Sequence, residues 1–165
     1  MIESGRDHLE RGASLPPTPR PLYFRLMSDR RKARELAMQV LFLWDAHGSN
    51  DTEMALHALA GDADAGDDAR RSALAMADGA WGQRGASDQW VERLAPQWPP
   101  RRQPPVDRNI LRLGIWELTN TETPPKVVLD EAIELAKQFS TEQSPAFING
   151  VLDAVLKERK TLTNT

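Results

Sequence analysis

The residues best suited to bind a ligand form a basic cluster near residue 30. Four of the five residues at 30–34 are cations, namely Arg30, Arg31, Lys32 and Arg34. By contrast, the segment from Ala46 to Ala69 has no Lys or Arg and holds six acids. Cations neutralise phosphate groups, and segregated charge can steer a polyanion to one end of a molecule. Both runs fit solvated helix or loop faces equally well.

The helix pattern around this cluster makes its position unusual. Ser28 or Asp29 is a plausible N-cap for a helix predicted over 29–47, because a short side-chain oxygen can accept from the first free amide groups. The cations then occupy the first turn, where the helix dipole disfavours each exposed cation by about 0.3–1 kcal/mol. The sequence therefore places positive charge where an isolated helix does not favour it.

Signals for catalysis are weak. The histidines, His8, His47 and His57, have no Cys or paired carboxylates near them at metal-ligand spacing. No phosphate-binding glycine loop, nucleophile elbow or dinucleotide fingerprint occurs. We therefore expect a protein that is not an enzyme and that uses no metal or cofactor.

Length, charge and cysteine content narrow the class of protein. The 165 residues suit one compact domain, and the net charge of −3 argues against a generally basic nucleic-acid binder. No apolar run approaches the ~20 residues of a membrane span, and no signal peptide is visible. The absence of cysteine fits a reducing compartment. We expect a cytoplasmic protein without a membrane segment.

Apolar periodicity predicts an all-α fold, because no segment alternates with a period of two. Residues 1–27 are polar and rich in Pro and Arg, which predicts a disordered extension before a domain over 28–160. A Pro-rich connector is predicted over 96–105. The predicted helices cover 29–47, 52–60, 69–84, a segment capped by Ser87, 108–119 capped by Asp107, 125–139, and a last helix capped by Ser144.

The five tryptophans divide into two groups. Four of them lie on or near apolar helix stripes, which predicts core packing: Trp44, Trp81, Trp90 and Trp116. Trp98 lies in the Pro-rich connector, where both core packing and base stacking stay open.

One glycine interrupts the last predicted helix. Gly150, in "FINGVLD", costs about 1 kcal/mol relative to Ala inside a helix. We expect it to permit a close approach between two helices. The alternative is that the first turn of this helix faces an RNA backbone with its free amide groups.

Three blocks of the chain resemble the NusB family of transcription antitermination factors. They are "RRKARELAMQVLFLWD" at 30–45, "DRNILRLGIWEL" at 107–118 and "PPKVVLDEAIELAKQFSTEQSPAFINGVLD" at 124–153. The third block is the most specific, and the middle of the chain, 48–105, is similar only in its helical pattern. The resemblance implies an all-α arrangement of two three-helix bundles in one compact domain.

The resemblance also implies a function without catalysis. The family binds the single-stranded boxA element of ribosomal RNA leaders together with NusE, a small-subunit ribosomal protein. The complex joins RNA polymerase with NusA and NusG and suppresses premature termination. The resemblance leaves open whether the free protein is a monomer or a homodimer.

Site residues follow from the resemblance position by position. The basic cluster Arg30, Arg31, Lys32 and Arg34 is expected to contact RNA, where helix dipole and cations would favour the same anion. Asp107 is expected to be an exposed contact with NusE. Phe42 stands where the family often has Tyr, and Gln143 stands where an acid is common. The other expected RNA-facing residues are Ser144, Phe147 and Asn149.

Two rival interpretations remain. The first is a relative of the NusB-like RNA-binding domain in ribosomal RNA cytosine methyltransferases, although the chain has no Cys to act as their nucleophile. The second is a helical adaptor that binds a protein and no RNA. The basic cluster argues against the adaptor, which has no need of it.

Overall fold

A computed structural model describes residues 22–164, apart from the side chains of Tyr23 and Phe24. This part of the chain contains α-helices and one short 3-10 turn, with no β-strand, so the predicted all-α class is confirmed. The helices are α1 (Leu22–His47), α2 (Thr52–Ala60), α3 (Asp67–Gly82), α4 (Arg84–Leu94), α5 (Pro105–Asn120), α6 (Pro125–Phe139) and α7 (Ser144–Thr163), and the 3-10 turn covers Pro100–Arg102. None of these described helices is long and apolar enough to cross a membrane.

The helices form two groups that share one core. In the first group α1 packs along α3, and the short α2 contacts both. In the second group α5, α6 and α7 pack together, and α4 contacts α5 and α7. Helix α5 also contacts α1 and α3, so it joins the two groups. Its apolar residues are buried accordingly: Ile110, Leu111, Leu113, Ile115 and Leu118.

The tryptophans confirm the predicted core positions. Trp44 is fully buried, and its ring meets that of Trp81 edge to face at a centroid distance of 5.8 Å. Trp90 and Trp116 are partly buried against the same core. The edge-to-face arrangement places the positive rim of one ring against the negative face of the other.

The start of α1 differs from the prediction. The helix begins at Leu22, so Ser28 and Asp29 lie inside it and cap nothing. Arg30 is therefore more than two turns from the helix start, and the dipole effect fades within the first turn. The predicted conflict between the dipole and the basic cluster does not exist here. The predicted disorder of residues 1–27 is wrong for 22–27, which are helical, and residues 1–21 lie outside the described residues.

Three predicted caps are also wrong. Ser87 lies inside α4, with its hydroxyl buried and without a hydrogen-bond partner among the described residues. Helix α5 begins earlier than predicted, because Pro105 fits the first turn of a helix, and α7 begins one residue earlier, at Ser144 itself. Asp107 is consequently the third residue of α5, and Ser144 is the first residue of α7.

The close helix approach lies at a different glycine from the one predicted. Gly150 is exposed, and a methyl group added there would meet nothing within 4 Å. A methyl group at Gly79 would overlap the indole of Trp116. The small residue that lets two helices approach is therefore Gly79, where α3 faces α5.

Candidate nucleic-acid interface

The basic cluster of α1 divides into cations with different surroundings. Arg30 is exposed and makes no ion pair with another described residue. Arg31 lies on the surface beside α6, and Lys32 points to the loop between α2 and α3. Arg34 points inward. Successive helix residues are about 100° apart, so the side chains of consecutive cations point to different sides of the helix.

Arg34 belongs to the core and not to the surface. Its Nε and Nη2 atoms donate to the two carboxylate oxygens of Glu117 at 2.8 and 2.9 Å. Arg34 is 5% exposed and Glu117 is 2% exposed. The expectation that all four cations face solvent is therefore wrong for Arg34, and we leave it out of the candidate interface.

Arg31 remains exposed although it is paired. Its Nε and Nη2 atoms donate to Glu131 of α6 at 3.0 and 2.8 Å. The hydrogen bond to Glu131 raises the pKa of the Arg31 guanidinium, so the group stays charged. Its side chain is 63% exposed, which leaves its outer edge open to an anion.

Lys32 connects the basic cluster to the acidic segment. Its ammonium lies 2.7 Å from Asp62 and 3.4 Å from Glu35. The hydrogen bond to Asp62 is the main cause that raises the pKa of Lys32, and the same bond lowers the pKa of Asp62. The two charge runs of the sequence therefore meet at this ion pair.

Phe42 shares the outer face of α1 with Arg31. The two residues are eleven positions apart, close to three helical turns, so they point in similar directions about 16 Å from each other. Phe42 is 38% exposed. It borders a groove of about 340 Å³ that is also lined by Met38, Gln39, Leu43, Ala58, Val106 and Phe139. An exposed ring can stack on an unpaired base, while a cation on the same helix face contacts the backbone of the strand.

The residues at the start of α7 meet around a second cavity. Gln143, Ser144 and Phe147 line a space of about 450 Å³, together with Trp98, Pro104, Asp107 and Thr141. Gln143 is exposed, Phe147 is half-buried, and Ser144 is buried. Asn149 is exposed but does not line this cavity. Sequence reasoning left Trp98 undecided, because a Pro-rich connector has no periodicity that assigns a face.

Asp107 lies beneath this cavity as a buried carboxylate. It is 3% exposed, and both of its oxygens accept hydrogen bonds, from the hydroxyls of Ser140 and Ser144. The Ser144 hydroxyl lies 2.8 Å from Asp107 and also 2.8 Å from the hydroxyl of Thr141. The expectation of an exposed acid for a protein partner is therefore wrong, because the start of α7 covers it.

Comparison with known proteins places the chain in a family. Residues 31–157 match the model of the NusB family. The transcription antitermination protein NusB of Solibacter usitatus is 41% identical over 134 residues, which cover 80% of this chain and 91% of that protein. The NusB of Acidothermus cellulolyticus is 41% identical over 139 residues, covering 83% and 93%.

Solved structures agree with these relatives. A NusB structure from T. maritima superposes with a TM-score of 0.69 at 34% identity, covering 78% of this chain and 91% of that one. A structure of NusB and NusE in complex with double-stranded RNA superposes with a TM-score of 0.71 at 30% identity, covering 80% and 98%. The family match spans most of the described helices, and these similarities extend over nearly the whole length of each relative. The chain therefore belongs to the NusB family.

Proposed function

We propose that this protein is a non-catalytic RNA-binding factor in transcription antitermination. Its RNA is a boxA-type single strand of ribosomal RNA leaders, and its protein partner is NusE. In the cytoplasm the complex acts on RNA polymerase with NusA and NusG. The family membership and the similarity to a NusB–NusE–RNA complex support this proposal.

The observation that carries the RNA-binding part is the outer face of α1. There Arg31 and Phe42 are both exposed and lie on one side of the helix, and Arg30 and Lys32 are the neighbours of Arg31 in the chain. Cations that follow a backbone and rings that stack on bases are the two components of single-strand recognition. Gln143, Phe147 and Asn149 extend the proposed surface to the start of α7, and the bond of Ser144 to Asp107 holds that first turn in place.

The salt dependence of RNA binding tests the proposal. Affinity for a boxA RNA and for a scrambled RNA is measured over a range of salt concentrations, with and without NusE. Each phosphate contact on a single strand contributes about −0.7 to the slope of log K against log salt. Replacing Arg31 and Lys32 together with Gln is expected to weaken binding and make the slope shallower by about 1.4.

A matched control separates charge from structure, because both cations hold ion pairs. The double variant Glu131→Gln and Asp62→Asn breaks the shorter pair of each cation and keeps both cations, with Lys32 retaining its 3.4 Å contact with Glu35. We expect it to bind RNA at least as tightly as the parent protein. RNA affinity that is unchanged in the Arg31 and Lys32 variant, with and without NusE, contradicts the assignment of this face.

A further inference from the structure

We propose that the cavity beside Trp98 binds one unpaired base of the RNA, with the Trp98 indole as the stacking surface. This inference rests on the proposed RNA binding and adds a residue and a ligand group to it. The cavity lies between the connector that follows α4 and the first turn of α7. Its volume of about 450 Å³ is large enough for a nucleobase.

Trp98 differs from the other tryptophans of the chain. It is 42% exposed, whereas the other four are packed in or against the core. An exposed indole gives up hydrophobic stabilisation of about 25 cal/mol for each Å² of apolar surface that stays in water. The connector nevertheless holds the backbone of Trp98 in place, because buried Gln103 donates from Nε2 to the Trp98 carbonyl at 2.9 Å. An exposed ring on an anchored backbone is suited to stacking.

Arg102 adds positive charge at the same place. Its guanidinium carbon lies 5.5 Å from the Trp98 ring centroid, within the range of a cation–π contact. Its guanidinium donates one hydrogen bond among the described residues, a long one of 3.4 Å to the Gln97 carbonyl, and forms no ion pair there. Arg102 thus covers part of the indole and keeps its charge available for the phosphate of a stacked nucleotide.

Gln143 is the group in the cavity that can read a base edge. The hydroxyls of Thr141 and Ser144 bond to each other, and Asp107 is already occupied by Ser140 and Ser144. The Gln143 amide is exposed, and it offers both a donor and an acceptor. Unpaired bases present their edges to such groups, and adenine matches an amide with two bonds.

The cavity continues the proposed RNA surface. Val106 and Phe139 line the groove at Phe42. The next residue after each of them, Asp107 and Ser140, forms the hydrogen bond that lies beside the cavity. The groove and the cavity therefore lie on neighbouring parts of the fold, and we place successive nucleotides of one strand at the two. One exposed ring with an unpaired Arg and an amide favours a nucleotide over a protein, whose interfaces have a wider apolar centre.

Three variants of the protein test the stacking surface. Trp98→Leu keeps an apolar side chain but removes the ring, and we expect it to weaken binding of boxA RNA about tenfold or more. Trp98→Phe keeps a ring and should lose much less. Leu56→Ala removes an exposed apolar side chain from α2, outside the proposed surface, and should leave the affinity unchanged. Melting temperatures confirm that each variant is folded.

Indole fluorescence gives an independent measurement. The difference between the parent protein and Trp98→Phe isolates the emission of Trp98, and RNA should quench it. An RNA with single abasic positions should lose the quenching at one position only. Equal RNA affinity of the parent and the folded Trp98→Leu variant overturns the inference but leaves the proposed function intact.

Two other outcomes are distinguishable. If NusE alone quenches Trp98, and Trp98→Leu weakens NusE binding but not RNA binding, the cavity is a protein contact and the inference is wrong. If the parent protein binds no boxA RNA with or without NusE, the proposed function fails, and this inference fails with it.

Discussion

Asp107 joins the first turns of two helices. It is the third residue of α5, and it accepts hydrogen bonds from Ser140 and Ser144, which flank the start of α7. A carboxylate near a helix N-terminus is stabilised by the helix dipole, and here two such termini meet. The side chain therefore sets the position of the loop that carries Gln143, and it does not face a partner itself.

We predict that changes at Asp107 reduce stability. Asp107→Asn should lower the free energy of unfolding by about 1–3 kcal/mol, because a hydroxyl loses a charged acceptor in a buried place. Asp107→Lys should lower it further, since it buries a cation without a partner. Urea unfolding measures both. Asp130→Asn, at an exposed acid of α6, is the control, and a fully stable Asp107→Lys protein would show that the site is not closed.

Two glycines provide a second test at the residue scale. Gly79→Ala should destabilise the protein by about 1–3 kcal/mol, because the methyl group overlaps Trp116. Gly150→Ala should stabilise it by up to about 1 kcal/mol, since it adds a better helix former in open space. Thermal and urea unfolding of the two variants give the sign of each effect. A stable Gly79→Ala variant would mean that Trp116 moves aside without loss.

At the scale of elements, polar contacts decide how the two helix groups meet. The pair of Arg34 and Glu117 connects α1 to α5 within the core. Arg31 and Glu131 connect the exposed side of α1 to α6. A buried ion pair of this kind adds little net stability, since the cost of desolvating the charges offsets much of their attraction. Removing only one partner is strongly destabilising, because the other charge is then buried without a partner.

A double-mutant cycle on α1 and α5 tests this balance. Arg34→Met and Glu117→Leu should each cost about 3–5 kcal/mol, because each leaves an unpaired charge in the core. The double variant should recover most of that loss, since neither charge remains. Urea unfolding of the four proteins gives the coupling energy. Additive losses in the double variant would mean that the two side chains act independently.

At the scale of the whole molecule, an ionic network links α1, α4 and α5. Asp45 lies 2.7 Å from Arg108 and 3.2 Å from Arg112, and Arg112 also pairs with Asp88 at 2.7 Å. Burial alone would raise the pKa of Asp45, but the hydrogen bond from Arg108 and the charge of Arg112 lower it overall. The network therefore favours the folded state only while Asp45 is ionised.

This linkage predicts the direction of acid destabilisation. Because the pKa of Asp45 is lower in the folded state, its contribution is present above the unfolded value of about 3.9 and is lost as the pH falls through the folded value. Asp45→Asn should therefore be less stable than the parent at pH 7, and the difference should shrink below about pH 4. Unfolding measured from pH 7 to pH 3 checks it. A constant difference would exclude Asp45 as the titrating group.

The sequence by itself determined the fold class, the family and most of the core. Helical periodicity predicts which residues of a segment share a face, so α2, α6 and four tryptophans were predicted correctly. Its errors lie at helix starts: α1 begins at Leu22, α5 at Pro105 and α7 at Ser144, each earlier than predicted. A local sequence pattern predicts the presence of a helix better than it predicts the residue at which the helix begins.

The tertiary structure decided which polar residues are free to bind. Arg34 meets Glu117 across 83 positions of sequence, and Arg31 meets Glu131 across 100. Sequence periodicity does not indicate such partners. Of the four cations, Arg34 is buried, Arg31 and Lys32 are paired at the surface, and Arg30 has no ion pair within residues 22–164. The burial of Asp107, the exposure of Trp98 and the open space at Gly150 have the same cause. Each depends on which other part of the fold packs against the residue.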